Sequence, residues 1–264
     1  MTPRIALGLG GIAGWNILKR TSATQKQIIA NDVSVKRANT YFRENISKAQ
    51  SAGDLVKDYR LLSVALGAFG LESDIRNRAL IQKVLESDIT DRSSLVNRLS
   101  DKRYLRLAEA FGYGAGTPKV ASDGFGDDVA TRFIDRELER RVGQTDEDMR
   151  LALNARRELA AMAGRDSSDK TLWFEILGNQ PLRKVFETAF GLDSKSFGKL
   201  PVDRQHNMLM ERAEKMLGSS SFKTFADEAR TEKLVRNFLV RAQVQMSSPA
   251  QNAYSAALTL LSRR

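Results

Sequence analysis

Apolar residues recur along this chain at spacings of three and four, and sustained alternation is absent. The pattern predicts helices over Ser22 to Asn31, Val35 to Ala49, a stretch ending at Leu85, Val129 to Val142, Asp146 to Ala163, Pro201 to Met216, and Thr231 to Gln245. A last helix is expected over Gln251 to Leu261. Tyr41, Phe42 and Ile46 fall on one face. So do Leu80, Ile81, Val84 and Leu85, and again Leu234, Val235, Phe238, Leu239 and Ala242. Asn31-Asp32 reads as a joint. Ser73-Asp74-Ile75 reads as the cap of the helix ending at Leu85, and Asp91 or Ser93 as the cap of the next. Gly112 to Gly126, with Pro118, is the clearest break and reads as a flexible loop between halves. The expected fold class is all-α, an irregular multi-helix bundle with internally repeated helix ends and little or no strand.

One phrase occurs three times. Leu61 to Leu71, Tyr104 to Tyr113 and Leu182 to Leu192 each read as an amphipathic helix ending in Ala-Phe-Gly plus a large apolar residue. Glycine closes helices because it adopts positive φ without a Cβ clash, and the next apolar residue packs back on the last turn. The motif residues are therefore Phe69, Gly70 and Leu71; Phe111, Gly112 and Tyr113; and Phe190, Gly191 and Leu192. In the first and third copies the apolar positions superpose, Leu61 on Leu182, Val64 on Val185 and Phe69 on Phe190. The second copy is looser and puts Arg103 and Arg106 at the other two positions. A short helix precedes each copy. Any helical protein shows a glycine stop or two, but three that share Ala-Phe-Gly argue for a repeated unit. Their unequal spacing disfavours a regular solenoid. Four regions follow: a basic N-terminal helical segment (1–50), a first helical repeat region (51–116), a second helical region (117–228) and a basic C-terminal helical tail (229–264).

The net charge of +10 is unevenly spread over the 264 residues. Residues 1–50 hold eight Lys/Arg against two acids, and residues 229–264 hold six against one. Two basic ends on a nearly neutral body point to an anionic ligand or an acidic partner surface; the competing reading is a solvated basic surface. The candidate interaction residues are Lys19, Arg20, Lys36, Arg37, Arg236 and Arg241. No cysteine is present, so disulfides and thiolate chemistry are excluded. No apolar run reaches the roughly 18 residues of a membrane helix. The start resembles a signal peptide only superficially, with one basic residue before an apolar stretch interrupted by glycines and no convincing small-x-small cleavage site.

Chemical motifs are few. Gly8-Leu9-Gly10-Gly11-Ile12-Ala13 follows Arg4-Ile5-Ala6-Leu7, and Asp32 falls where a ribose-binding acid would stand. A dinucleotide fold needs further parallel strands, and none is expected downstream. His206 is the only histidine, which excludes multi-His metal sites; inside a helix it reads as a surface or helix-packing histidine rather than the base of a Ser-His-Asp triad. Asp123-Gly124-Phe125-Gly126-Asp127-Asp128 lacks the spacing of a calcium loop, and Asp146, Glu147 and Asp148 suit a helix start. No catalytic, metal-ligating or cofactor-binding residue is assigned, and no cofactor is expected.

The Ala-Phe-Gly-Leu phrases resemble an alphaproteobacterial family of unknown function, the domain-of-unknown-function family numbered twelve-seventeen. Tyr41-Phe42-Arg43-Glu44-Asn45-Ile46, Asp58-Tyr59-Arg60-Leu61-Leu62, Arg150-Leu151-Ala152-Leu153, Trp173 to Gly178 and Pro181-Leu182-Arg183 share in the resemblance. It runs from about Gly14-Trp15 to about Arg241. Members of that family are often encoded among flagellar genes, and the family carries no established catalytic residues. The resemblance implies a non-enzymatic, flagellum-associated structural or interaction protein, with protein partners and a role in assembly, export or motor support. The expected location is cytoplasmic or flagellum-associated, with export still open. The alternative is a basic nucleic-acid-binding protein, and the third reading is a dinucleotide-binding enzyme.

Overall fold

A computed structural model describes residues 10–246. The expected helix over Gln251 to Leu261 and the segment Arg4 to Leu9 lie outside the described residues. Among the described residues the chain forms fourteen α-helices and no strand.

The chain starts with α1 (Gly11–Asn31) and α2 (Val33–Asn45), separated by Asp32, whose carboxylate accepts the Ser34 amide at 3.0 Å. Helix α1 begins well before Ser22 because Trp15 and Leu18 give its glycine-rich first half a fully buried face. Next come α3 (Ala52–Lys57) and α4 (Tyr59–Phe69), a 3-10 turn at Glu72–Asp74, α5 (Arg78–Leu85), α6 (Leu95–Arg98), α7 (Lys102–Phe111) and α8 (Phe125–Gly143). The second half holds α9 (Glu147–Ala163), α10 (Asp169–Gly178), α11 (Gln180–Phe190), α12 (Ser194–Gly198) and α13 (Val202–Leu217). A 3-10 segment at Phe222–Ala226 leads into α14 (Glu228–Met246).

Three local expectations are corrected. Asp74 does not cap α5, which starts after Asn77; its carboxylate instead accepts Tyr104 Oη and Asn77 Nδ2, both at 2.9 Å. Neither Asp91 nor Ser93 caps α6, which starts after Ser94, because Asp91 holds the amide and hydroxyl of Ser93. The Gly112 to Gly126 break is a packed connection. It contains two 3-10 turns, Tyr113–Ala115 and Lys119–Ala121, and Val120 is buried. Gly114 lies so close to the Ser87 carbonyl that no Cβ would fit.

The chain divides into two compact units. Among the described residues, one holds 21–141 and the other holds 10–20 with 142–246, so both boundaries fall inside helices. The two units share much of one plan, although α14 also packs on α9 and α11 on α13 in the second unit, whereas α2–α7 and α4–α5 are not packed to the same degree in the first. In the first, α2 packs on α4, α3 on α4 and α5, and α7 on α4 and α5. In the second, α9 packs on α11, α10 on α11 and α13, and α14 on α11 and α13. The first core is mainly aliphatic, built from residues such as Leu55, Leu62, Val64, Leu66, Leu71 and Ile81 around Phe42 and Phe111. The second is aromatic. Trp173 meets Phe222 at 5.2 Å and Phe186 at 5.5 Å edge to face, and donates its Nε1 hydrogen to Ser220 O at 3.0 Å. Each fully buried side chain of this size contributes about 1.5–3 kcal/mol relative to an exposed one.

Candidate functional site

The repeated helix ends are the first candidate feature. Gly70, Gly112 and Gly191 take φ of 72°, 72° and 67°, the left-handed conformation that stops a helix. The first and third ends are Schellman motifs. The Leu71 amide donates to Leu66 O at 2.8 Å and the Gly70 amide to Gly67 O at 3.2 Å. The Leu192 amide donates to Glu187 O at 2.8 Å and the Gly191 amide to Thr188 O at 3.0 Å. The second end is the simpler form, with one bond from the Gly112 amide to Ala108 O at 2.9 Å. Leu71 and Leu192 are buried, whereas Tyr113 is half-buried and donates its hydroxyl to Ala49 O at 2.6 Å. Copies one and three occupy equivalent places, α4 and α11. Copy two ends α7, whose counterpart is α14, and this explains its looser sequence match.

The starts of these helices also match. The side chains of Asp58, Asp101 and Asn179 accept the amides of Leu61, Arg103 and Leu182 respectively. Burial opposes the charge on Asp58, but Tyr41 Oη and the Leu61 and Arg60 amides donate to it and hold its carboxyl below the usual range. Cations close the other end of α4 and α11. The Arg136 guanidinium lies where a Gly70 Cβ would project, and Arg103 donates to the Gly70 carbonyl. A Cβ on Gly191 would lie 2.5 Å from Arg241 Nη1. A cation at a helix C-terminus faces the negative end of the helix dipole.

The six basic candidates therefore separate. Arg241 covers the end of α11, and Lys19 pairs with Glu232 at 2.7 Å, on the carboxylate that also accepts Trp15 Nε1. Arg20, Lys36, Arg37 and Arg236 are exposed and form no ion pair among the described residues. Lys36 and Arg37 lie on the outer face of α2, opposite Val35 and Phe42, and Arg236 lies on the outer face of α14.

The other chemistry-bearing residues are used in packing. Asp32 caps α2 and lies 3.3 Å from Arg141, a guanidinium only 3% exposed that also pairs with Glu137 at 3.2 Å. His206 is buried and stacked on Phe174, ring centroids 4.8 Å apart. Asp127 pairs with Arg43 at 2.6 Å, Asp146 accepts the Met149 amide at 2.9 Å, and Glu147 pairs with Arg150. Among the described residues no group of three His, Asp or Glu is arranged to hold a metal ion. Sequence reasoning missed the buried Glu187, which accepts Arg183 Nε at 2.6 Å and Ser194 Oγ at 2.5 Å. Its signal was the Arg183–Glu187 spacing of four.

Fold and surfaces together define an all-α protein of two units on one helical plan, with basic outer faces on α2 and α14. Residues 68–230, more than half of the chain, match the model of a family of proteins of unknown function, DUF1217, and the chain belongs to that family. An X-ray crystal structure of a protein from Agrobacterium tumefaciens is similar with a TM-score of 0.74 and 24% sequence identity. The match covers 92% of this chain and 99% of that one, so the two share a fold. No curated protein matches the chain. No helix among the described residues is long and apolar enough to cross a membrane.

Proposed function

We propose that this chain is a non-enzymatic, flagellum-associated structural or interaction protein that acts through protein partners in assembly, export or motor support. The observation that carries the reading is membership of DUF1217, joined to the expectation that members of this family are encoded among flagellar genes. A second support is how the candidate chemical groups are used: Asp32 as a cap and ion-pair partner, His206 as a stacking residue, Asp146 as a cap. The reading puts it in the cytoplasm or at the flagellum, with export still open.

The test is a clean deletion of the gene in its host, with motility and flagellar filaments scored together. Loss of filaments assigns the protein to assembly or export, and filaments without swimming assign it to the motor. Normal swimming sinks the flagellar reading. The exposed cations Arg20, Lys36 and Arg37 favour nucleic-acid binding as the second reading, for which sequence preference at physiological salt is the discriminator.

A further inference from the structure

We propose that the outer face of α14 is the docking surface for an acidic amphipathic helix of a protein partner. This rests on the interaction-protein reading above and names the partner's chemistry. The helix has two faces of opposite character. Leu234, Val235, Phe238, Leu239 and Ala242 are buried in the core of the second unit. Lys233, Arg236, Val240 and Val244 recur at helical spacing on the other side, and all four are exposed. Val240 is 47% exposed and Val244 65%, so two β-branched apolar side chains stand one turn apart in water.

The charge on this face is unbalanced by design of the helix itself. Its acids are Glu228 and Glu232, both near its start. Glu228 pairs with Arg156, and Glu232 is taken by Lys19 and Trp15. From Lys233 onward α14 carries Lys233, Arg236 and Arg241 and no acid. Arg241 has a structural role at the end of α11. Lys233 and Arg236 lie in the middle of the helix, where the dipole effect has faded and does not account for them. A cationic stretch followed by an apolar pair fits a helix that presents carboxylates beside a short apolar stripe. A phosphate backbone has no use for the valines, and the face carries no aromatic side chain for base stacking. A lipid surface calls for a broad apolar face with Trp, Phe or Leu, and on α14 those residues are turned into the core.

The experiment is site-specific photo-cross-linking of the full chain in its host, with Val240→p-benzoylphenylalanine. Val202, 56% exposed on α13, serves as the control position. The expected result is an adduct at position 240, stronger than at 202, that maps to a segment of another protein with Asp/Glu and apolar residues at helical spacing. The double charge reversal Lys233→Glu/Arg236→Glu lowers the yield about tenfold, as reversing two cation–carboxylate contacts should. The swap Lys233→Arg/Arg236→Lys retains it, and circular dichroism and melting temperature stay unchanged in both. If a variant fails to fold, Val244→Asp in the cross-linking background gives the same readout. Adducts to nucleic acid, to a second copy, to residues 247–264 of the same chain, or no excess over position 202 overturn the proposal. An acidic-helix partner outside the flagellum overturns the flagellar reading alone. Lost motility on deletion without such an adduct overturns this inference alone.

Discussion

In the second unit Trp173 of α10 and Phe186 of α11 meet with ring centroids 5.5 Å apart, and Phe222 and Phe225 close around them. At the matching positions of the first unit, α3 and α4 carry Ala52 and Ala65, both buried. The first unit keeps its aromatic mass elsewhere. Phe111 of α7 meets Phe125 at 5.2 Å, Tyr113 at 5.9 Å and Phe69 at 6.3 Å. The same order of helices thus encloses two differently filled cores. Caps and glycine ends set the plan, while the large side chains sit wherever the volume is available, as expected if cores need matched volume more than a fixed set of contacts.

The largest expected effect comes from emptying the aromatic core. Trp173→Ala removes the ring that meets three phenylalanines and leaves a cavity, at a cost of about 3–5 kcal/mol. Urea unfolding measures it. A loss below about 1 kcal/mol would mean that the two cores do not differ in this way.

The glycine ends come next. Alanine at Gly70 or Gly191 is forced into the left-handed region and costs about 1–2 kcal/mol. The guanidiniums of Arg136 and Arg241 can swing clear of the new methyl group. At Gly112 the Cβ meets the Thr117 backbone carbonyl at 2.8 Å, which cannot. Gly112→Ala should therefore be the most damaging of the three, although it belongs to the copy with fewer end bonds. Melting temperatures of the three variants rank them.

The smallest effect separates two caps with the same job. Asp58→Ala and Asn179→Ala should each cost about 1 kcal/mol at neutral pH. The folded pKa of Asp58 is depressed, so its contribution is fully present above the unfolded carboxylate value, about 3.9. That contribution is lost as pH falls through the lower folded value. The penalty for Asp58→Ala should shrink as pH falls below the unfolded carboxylate value, whereas that for Asn179→Ala, which has no carboxylate to protonate, should not. Urea midpoints of both variants across this range test it.

The sequence made much of the plan readable because its signals are local. The Ala-Phe-Gly ends need only a glycine and the apolar residue after it, and the superposition of Leu61, Val64 and Phe69 on Leu182, Val185 and Phe190 marks two equivalent helices. Arg103 and Arg106 already set the second copy apart. The first half of α1 stayed hidden because Gly11 and Gly14 weaken its helix signal, while the burial of Trp15 that offsets them comes from tertiary packing. Asp74 looked like a cap because its true partner, Tyr104, is thirty residues away. The charge of the candidate surface was legible as well, in Lys36, Arg37 and Arg236. The pairing of Lys19 with Glu232 and the placement of Arg241 beside Gly191 were not, since both depend on residues distant along the chain.

Amide hydrogen exchange, followed residue by residue by NMR, tests the equivalence of the two units most directly. The account predicts protection at Gly70 and Leu71 and at Gly191 and Leu192, the bonded amides of the two Schellman ends. At the second copy it predicts protection at Gly112 but fast exchange at Tyr113, whose amide makes no such bond among the described residues. Equal protection of Tyr113, or fast exchange at Leu71 or Leu192, would contradict a shared plan in which only the first and third copies are equivalent.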